Sequence, residues 1–261
     1  MIRSLYTAAT GMDAQQTRMD TIANNLANAS TTGFKKVQAD FEDLLSETIR
    51  SPRESTPQGG SPPAPLQVGL GTRLSSTTRS FTQGDMVQTQ GPCHVAIAGE
   101  GFFRILRPNG EYGYTRAGDF TTDADGRLVT AGGLLVEPSI TIPKDATDLT
   151  IAADGQVTAK ISGQTQATEL GRLELATFTN PNGLEAIGGN LLVETAGSGQ
   201  PIITRPGEQN AGTLQHGWIE SSNVKAVEEM VAMISTQRAY ELNSKVIQSA
   251  DQMLQRLTNL R

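Results

Sequence analysis

The chain has 261 residues, of which 37% are hydrophobic and only 5% aromatic; this is typical of a globular protein with few large rings for its core. Its formal net charge of −6 argues against a nucleic-acid partner, because phosphate backbones are bound by clustered lysines and arginines. The single cysteine, Cys93, excludes an intrachain disulfide and a multi-cysteine metal site.

The N-terminal sequence does not have the long apolar stretch of a secretory signal, because Asp13, Gln15 and Gln16 follow soon after the start. No window approaches the ~20 apolar residues needed to cross a bilayer. We therefore expect a chain that is not embedded in a membrane. If it leaves the cytoplasm, we expect it to do so without a cleavable signal peptide.

Glycine and proline are distributed very unevenly along the chain. All 12 prolines lie between Pro52 and Pro206, and of the 27 glycines only Gly11 lies outside the interval from Gly33 to Gly217. Because these residues interrupt regular structure, the two ends favour long helices and the middle does not.

The first segment has apolar residues at a seven-residue spacing: Leu5, Met12, Met19 and Leu26, with Ile22 beside them. This spacing is typical of a helix that meets another helix. We predict a helix from about Arg3 to Asn28, after which Gly33 provides a stop signal.

Three asparagines, Asn24, Asn25 and Asn28, lie in the same segment. Asparagine is a poor helix former because its amide competes for nearby backbone groups. In packed helices, however, amides can hydrogen-bond across an interface and fix its register. Exposure to water at a fraying helix end is the alternative for any one of them. For three in five positions we favour an interface.

The last segment, from Ile219 to Arg261, contains neither glycine nor proline. Ser222 or Asn223 can cap a helix here, and we predict a helix from Val224 to Leu257. Two apolar rows follow its length: Met233, Tyr240, Ile247 and Leu254, and next to them Leu242, Val246, Met253, Leu257 and Leu260.

The middle of the chain is rich in strand and turn signals. Two strand-like runs flank Pro108–Gly110, which is typical of a hairpin. Asp125-Gly126, Asp154-Gly155 and Asn182-Gly183 mark further turns. From Ser51 to Gly71 the sequence is rich in proline, glycine and serine, which predicts an extended arm. A plain linker and an arm that touches a neighbour are equally compatible with it.

These observations predict an α+β fold, in which paired N- and C-terminal helices form a discontinuous coiled coil and a mostly antiparallel β domain is inserted between them. We place the helical domain at residues 1–33 and 218–261, and the β domain at 81–199. The connecting segment, with the Pro-rich arm, takes residues 34–80 and 200–217.

The two terminal helices carry more apolar surface than one helix pair can cover, and surfaces of this size mark interaction sites. Packing of both helices onto the β domain as ordinary core is the alternative. Against it, the strand pattern of the β region can form a core by itself. We therefore predict repeated self-association, through an assembly interface of Leu5, Met12, Met19, Ile22, Asn24, Asn25, Leu26, Asn28, Val231, Met233, Ile234, Arg238, Tyr240, Ile247, Met253, Leu254 and Leu257.

The sequence gives little support for an enzyme or a cofactor site. His94 and His216 are far apart and lack metal-ligand spacing, and Cys93 and His94, as strand neighbours, point to opposite faces. The run from Asp123 to Gly126 lacks the remainder of a calcium loop. No nucleotide fingerprint or catalytic motif is present. We expect no enzymatic activity, no cofactor and no metal.

Long motifs at both ends resemble a known family. "LYTAATGMDAQQTRMDTIANNLANASTTGFKK" resembles the N-terminal signature of bacterial flagellar rod and hook proteins, and "SSNVKAVEEMVAMISTQRAYELNSKVIQSADQML" resembles their C-terminal signature. In the β region "VAIAGEGFFRI", "YTRAGDF" and "DADGRLVTAGG" match in type and order. The resemblance covers essentially the whole chain and is greatest to the distal-rod members, with proximal rod and hook proteins as siblings. Two departures are Ala29-Ser30, where Val-Asn is more usual, and His94, where Asp is common.

The resemblance implies an axial structural subunit of the flagellar basal body that assembles with copies of itself into a helical tube. The terminal helices would line an export channel, and the rod would cross the periplasm and transmit torque. Implied partners are other rod proteins, the hook protein, the surrounding ring bushing and the flagellar export apparatus. Asn24, Asn25 and Asn28 fall in the family's N-terminal motif, and Arg238 to Glu241 in its C-terminal one.

Overall fold

The structure is a computed structural model that describes residues 2–50, 65–162 and 166–258. Most of the predicted Pro-rich arm, residues 51–64, lies outside the described residues. The chain divides into two compact units. The first, which we call the helical unit, comprises Met1–Leu26, Val37–Thr78 and Ala226–Arg261; the second, the β unit, comprises Ala27–Lys36 and Arg79–Lys225.

In its described residues the helical unit has two long helices and two short two-stranded sheets. Its elements are α1 (Ile2–Ala27), β1 (Val37–Asp43), β2 (Glu47–Arg50), β3 (Leu66–Val68), β4 (Thr72–Arg79) and α2 (Ala226–Thr258). Strand β1 pairs with β4, and β2 pairs with β3 in antiparallel orientation.

Helices α1 and α2 run antiparallel and meet at small and polar residues. A Cβ atom added to Gly11 would lie 2.9 Å from Nδ2 of Asn243, so the helices approach closely here. At another point Nδ2 of Asn25 donates to Oε2 of Glu229 at 3.3 Å. Gly11 and Asn25 are two heptads apart, as are Glu229 and Asn243, so the two contacts have one antiparallel register.

The β unit contains the remaining strands. They are β5 (Met86–Gln88), β6 (Val95–Ala98), β7 (Phe102–Leu106), β8 (Tyr112–Thr115), β9 (Thr121–Thr122), β10 (Leu128–Val129), β11 (Leu135–Glu137), β12 (Ala146–Ile151), β13 (Gln156–Ile161), β14 (Thr168–Arg172), β15 (Leu175–Thr177), β16 (Glu185–Gly188), β17 (Leu191–Val193), β18 (Ile202–Thr204), β19 (Thr213–His216) and β20 (Trp218–Glu220).

Nine of these strands form one sheet in the order β16-β17-β8-β7-β11-β10-β9, with β15 paired to both β7 and β18. Strands β12, β13 and β14 form a second sheet, and the pairs β19-β6 and β20-β5 bring the end of the unit back to its beginning. The paired strands in these sheets run antiparallel. The predicted α+β fold, with terminal helices flanking an antiparallel β domain, is confirmed.

The predicted hairpins lie at their turn signals. Strands β7 and β8 pair around Pro108–Gly110, where Gly110 has a φ of 83° that favours glycine. Strands β12 and β13 pair around Asp154-Gly155. Strands β9 and β10 pair around Asp125-Gly126, whereas the last signal, Asn182-Gly183, lies in a short 3₁₀ helix, Pro181–Gly183.

The larger core cluster of the β unit comes from strands and loops between Cys93 and Leu214. A smaller aromatic cluster joins it: Phe102 and Tyr114 each contact Phe178 edge to face. Among the described residues, neither core cluster includes a helix residue. The β unit therefore forms these core clusters from its own strands and loops.

The helix boundaries differ slightly from the prediction. Helix α1 agrees within one residue at each end, but α2 begins at Ala226, two residues later than expected. The expected caps have other partners: Oγ of Ser222 accepts from the amide of Val224 at 3.3 Å, and Oδ1 of Asn223 accepts from the amide of Lys36 at 2.7 Å.

Candidate assembly surface

The structure divides the predicted interface residues into three groups by exposure. The buried ones are Ile22 and Asn25; the half-buried ones are Leu5, Met12, Met19, Leu26, Asn28, Met233, Ile247 and Leu254; the exposed ones are Asn24, Val231, Ile234, Arg238, Tyr240 and Met253. The side chain of Leu257 is outside the described part. The seven-residue row of α1 is thus largely shielded from solvent, whereas a large part of the α2 set is exposed.

One side of α2 faces α1. The residues at a seven-residue spacing on this side are buried or half-buried: Glu229, Thr236, Asn243 and Ala250. Met233, Ile247 and Leu254 lie within about 60° of this row on the helix circumference, at ~100° per residue. This side uses most of the apolar row that repeats from Met233.

The other side of α2 carries a continuous exposed apolar surface, which we call the α2 stripe. It consists of Val227 (69% exposed), Val231 (62%), Ile234 (52%), Leu242 (62%) and Val246 (46%). Arg238 lies within the stripe, and together with Val231, Ile234 and Leu242 it lines a shallow groove. Single exposed apolar residues are common on protein surfaces, but a contiguous row of this kind marks an interaction site.

The outer face of α1 has a different chemistry. Its exposed positions are Tyr6, Ala9, Asp13, Gln16, Asp20 and Asn24. Apart from Tyr6, these residues are small or polar. Among the side chains that the structure describes, a broad exposed apolar face is therefore found on α2 and not on α1.

Asn25 has its amide partners within the chain. Its side chain is 1% exposed; Nδ2 donates to the carbonyl of Val37 at 2.8 Å, and Oδ1 accepts from the amide of Val37 at 2.9 Å. The contact with Glu229 adds a third hydrogen bond. Asn28 is half-buried and accepts from Oγ1 of Thr31 at 3.2 Å. Asn25 thus joins α1, the start of β1 and the first turn of α2.

A buried ion cluster occupies the β unit, formed by Lys35, Arg116 and Glu220. The Glu220 carboxylate is fully buried; Oε1 accepts from Nζ of Lys35 at 2.6 Å and Oε2 accepts from Nε of Arg116 at 2.9 Å. The amide of Gly84 donates to Oε1 at 2.9 Å. Lys35 also donates to the carbonyl of Thr82 at 2.7 Å. All three charges are therefore taken out of water and paired within the unit.

The cluster shifts the ionisation of two of its members. Burial by itself raises the pKa of Glu220, but the charge of Arg116 and the hydrogen bond and charge of Lys35 outweigh it and hold that pKa below its ordinary value. Burial lowers the pKa of Lys35 despite the opposing effect of Glu220. Among these shifts, the one at Glu220 indicates a carboxylate that is stabilised in its charged form.

The side chain of Asn223 lies next to this cluster and joins two further segments. Its Oδ1 accepts from the amide of Lys36, and its Nδ2 donates to the carbonyl of Ser80 at 2.9 Å and to that of Thr82 at 3.1 Å. The sequence did not predict the ion cluster or this role, since Lys35, Arg116 and Glu220 are far apart in the chain. The one local signal is a glutamate that ends the short apolar run Trp218-Ile219.

The β unit also contains a cavity of about 290 Å³, lined by Phe81, Phe102, Phe178 and Arg116 among others. The donors of Arg116 are used: besides Glu220, its Nη1 donates to the carbonyls of Gly99 and Gly101 at 2.7 and 2.8 Å. The other polar side chains of the lining are Thr82, Gln83, Glu100 and Thr177, and the guanidinium of Arg116 is already bonded to acceptors of the chain itself.

Cys93 and His94 do not form a reactive pair. Cys93 is buried, and burial raises its pKa, which disfavours the nucleophilic thiolate. Nδ1 of His94 is instead 2.8 Å from Oγ1 of Thr89. In the ranges that the structure describes, no three His, Cys, Asp or Glu side chains are grouped as metal ligands. Neither described helix is long and apolar enough to span a bilayer.

Three family models match the chain. Residues 5–35 match the flagella basal body rod protein model, residues 96–159 match the flagellar hook protein FlgE/F/G D1 domain, and residues 215–260 match the flagellar basal body rod FlgEFG protein C-terminal model. The first and last cover most of α1 and α2, and the middle one covers strands β6 to β12 and most of β13.

Full-length relatives agree with these matches. The flagellar basal-body rod protein FlgG of Caulobacter vibrioides is 49% identical over 261 residues, with all of both chains covered. FlgG of Borreliella burgdorferi is 49% identical, covering 100% of this chain and 99% of its own. The hook-basal body complex protein FlhP of Bacillus subtilis is 30% identical over the whole of both chains. The chain belongs to the flagellar basal-body rod protein family, whose members are structural subunits of the basal body and not enzymes.

Proposed function

We propose that this chain polymerises through its terminal helices into a helical tube, and that the tube is the distal segment of the flagellar rod. In this proposal the tube crosses the periplasm, encloses the export channel and transmits torque to the hook. Its neighbours are other rod proteins, the hook protein and the surrounding ring bushing. The subunit reaches its place through the flagellar export apparatus, without a cleaved signal peptide.

The main support for this proposal is the exposed apolar surface of the α2 stripe. Val231, Ile234 and Leu242 are each more than half exposed, on the side of α2 opposite the row that faces α1. The buried core of the β unit is formed without helix residues. A second copy of the helical unit is the partner that can cover such a surface repeatedly, and an interface that does not close on itself generates a ring or a helix.

We expect other predicted interface residues to position the two helices. Leu5, Met12, Met19 and Ile22 hold α1 against its own unit, so that α2 keeps its stripe outward. Arg238 lies within the stripe and provides a cationic group in its groove, whereas Tyr240 belongs to the row that begins at Met233, on the side of α2 nearer to α1. Asn25 fixes the end of α1 from inside the unit.

Sibling roles in the proximal rod or the hook are the alternative. The 49% identity to FlgG proteins over complete chains, against 30% to the hook-basal body complex protein FlhP, favours the FlgG role. A ligand-binding β domain is the weaker alternative, because the donors of Arg116 in its cavity are already bonded.

Two experiments test the proposal. Purified chain at increasing concentration should change from monomer to tubes visible by electron microscopy. In a strain that lacks the gene, imaging of basal bodies should show a rod that stops before its distal segment. A basal body with a complete distal rod in that strain would assign the chain to a sibling role, and a concentrated chain that stays monomeric would contradict polymerisation.

A further inference from the structure

The chain passes between its two units at residues 26–27, 36–37, 78–79 and 225–226. Close to three of these points, residues of the β unit are bonded to each other. Asn223 connects to Lys36 and to Ser80 through its side chain, and the amide of Ser80 donates to the carbonyl of Lys36 at 2.8 Å. The residues of the β unit next to these three crossing points are therefore hydrogen-bonded to one another.

The ion cluster lies next to these hydrogen-bonded residues. Its three members come from widely separated parts of the sequence of the β unit. Lys35 comes from its first ten residues, Arg116 from the end of β8, and Glu220 from the end of β20. The backbone follows the same connection, since the carbonyl of Glu220 accepts from the amide of Gly33 at 2.8 Å. Glu220 thus bonds to three separate segments through its backbone and its carboxylate.

Loss of one member of the cluster costs more stability than the complete cluster contributes. Lys35 and Arg116 are 3% and 6% exposed, and Glu220 is the shared anion of both. A buried charge without its partner is strongly destabilising, even where the complete pair contributes little net stability. Lys35 and Arg116 therefore have no favourable buried position until Glu220 is in place. The same holds for Glu220 without the two cations.

We propose that Glu220 is a closing clasp for the β unit: the first strands and the segment around Lys35 do not become stably folded until the segment from Trp218 to Asn223 joins them. Strand pairing also makes the early strands depend on the C-terminal part of the unit. Strand β6 pairs with β19 and β5 pairs with β20, so both strands take these partners from residues 213–220, near the C-terminal end of the unit. The unit is then completed in one step by the part of it that is synthesised last.

This clasp has a consequence that rests on the proposed function. A chain that leaves a narrow channel N-terminus first exposes Lys35 and Arg116 long before Glu220. Its β unit would stay open until nearly the whole chain has emerged. The clasp would therefore delay folding of the β unit during export.

Refolding of the dilute full-length chain, followed by pulsed hydrogen exchange, tests the clasp directly. The reporters are the amides of Gly33 and Gly84, both bonded to Glu220, and those of Ala96 and Ala98 in β6, which are paired with Gln215 and Thr213 of β19. We expect them to become protected in the same kinetic phase as residues 218–220. Protection of the Gly33 and β6 amides in an earlier phase would overturn the proposal.

The variant Glu220→Gln provides a second test. It keeps the shape of the side chain but leaves two buried cations without an anion, and we expect the thermal midpoint to fall by about 10 °C. The matched control is Glu111→Gln, which removes the exposed partner of Arg107 and should shift the midpoint by less than about 3 °C. Equal shifts for the two variants would contradict the clasp.

A double-mutant comparison separates the charge effect from a general loss of packing. If Lys35 is first replaced by Met, one buried cation is gone, and Glu220→Gln should then cost clearly less than in the wild type. An unchanged cost would overturn the role of charge. All of these measurements use monomeric chain, so failure to form rods would count against the proposed function and leave the clasp standing.

Discussion

The side-chain amide of Asn25 is hydrogen-bonded at both of its ends to the backbone of Val37, with Nδ2 donating at 2.8 Å and Oδ1 accepting at 2.9 Å. It pairs with β1 as a neighbouring strand would. The same amide reaches Glu229 in α2. Asn25 thus holds the start of β1 and the first turn of α2 next to the C-terminal end of α1.

Replacing Asn25 by Asp should destabilise the helical unit by about 2–4 kcal/mol. The carboxylate loses the donor to Val37 and places a buried negative charge next to Glu229. Urea unfolding followed by circular dichroism measures the effect. Asn24→Asp makes the same change at an exposed position of the same helix and should cost less than about 1 kcal/mol. Similar costs at the two positions would show that the Val37 contact is unimportant.

Replacing Gly33 by Ala should destabilise the β unit strongly. Gly33 has a φ of 66°, and an added Cβ would lie 2.6 Å from the backbone nitrogen of Ala117, so the substitution adds a clash to the left-handed strain. Gly133→Ala is the matched control, since Gly133 has a φ of 79° with open space around it. We expect a loss of about 1–2 kcal/mol for the control and a clearly larger one for Gly33→Ala in thermal melting.

The α2 stripe should be required for assembly but not for folding. Ile234→Asp places a charge in the middle of the stripe, where a second copy would have to bury it. We expect the variant to stay monomeric in sedimentation at concentrations at which the wild type polymerises, with an unchanged thermal midpoint. Ile187→Asp, at an exposed position of β16, is the comparison and should still polymerise. Polymerisation of both variants to the same extent would argue against the stripe as the interface.

The stability of the β unit should fall in acid because of Glu220. Its pKa in the folded chain lies below the ordinary value of 4.5, so its charge stabilises the fold above that pH. The contribution is lost as the pH falls through the folded pKa. Denaturant melts between pH 7 and 3 should show a steeper loss for the wild type than for Glu220→Gln, and parallel curves would contradict the assignment.

The sequence predicts the helices well because their signals are local. The seven-residue rows and the absence of glycine and proline place α1 within one residue at each end, and the turn at Pro108–Gly110 predicts its hairpin. Asn25 differs, because its partners Val37 and Glu229 are set by tertiary contacts that no local pattern contains. The ion cluster was missed for the same reason: Lys35, Arg116 and Glu220 each look like an ordinary surface charge in their own segment.

The most direct test of the central claim is electron cryomicroscopy of the polymer formed by the full-length chain. We expect Val231, Ile234 and Leu242 to be buried against a helix of a neighbouring copy, with the α1–α2 register at Gly11 and Asn243 preserved in each subunit. Copies joined only through their β units, with the α2 stripe facing solvent, would contradict it.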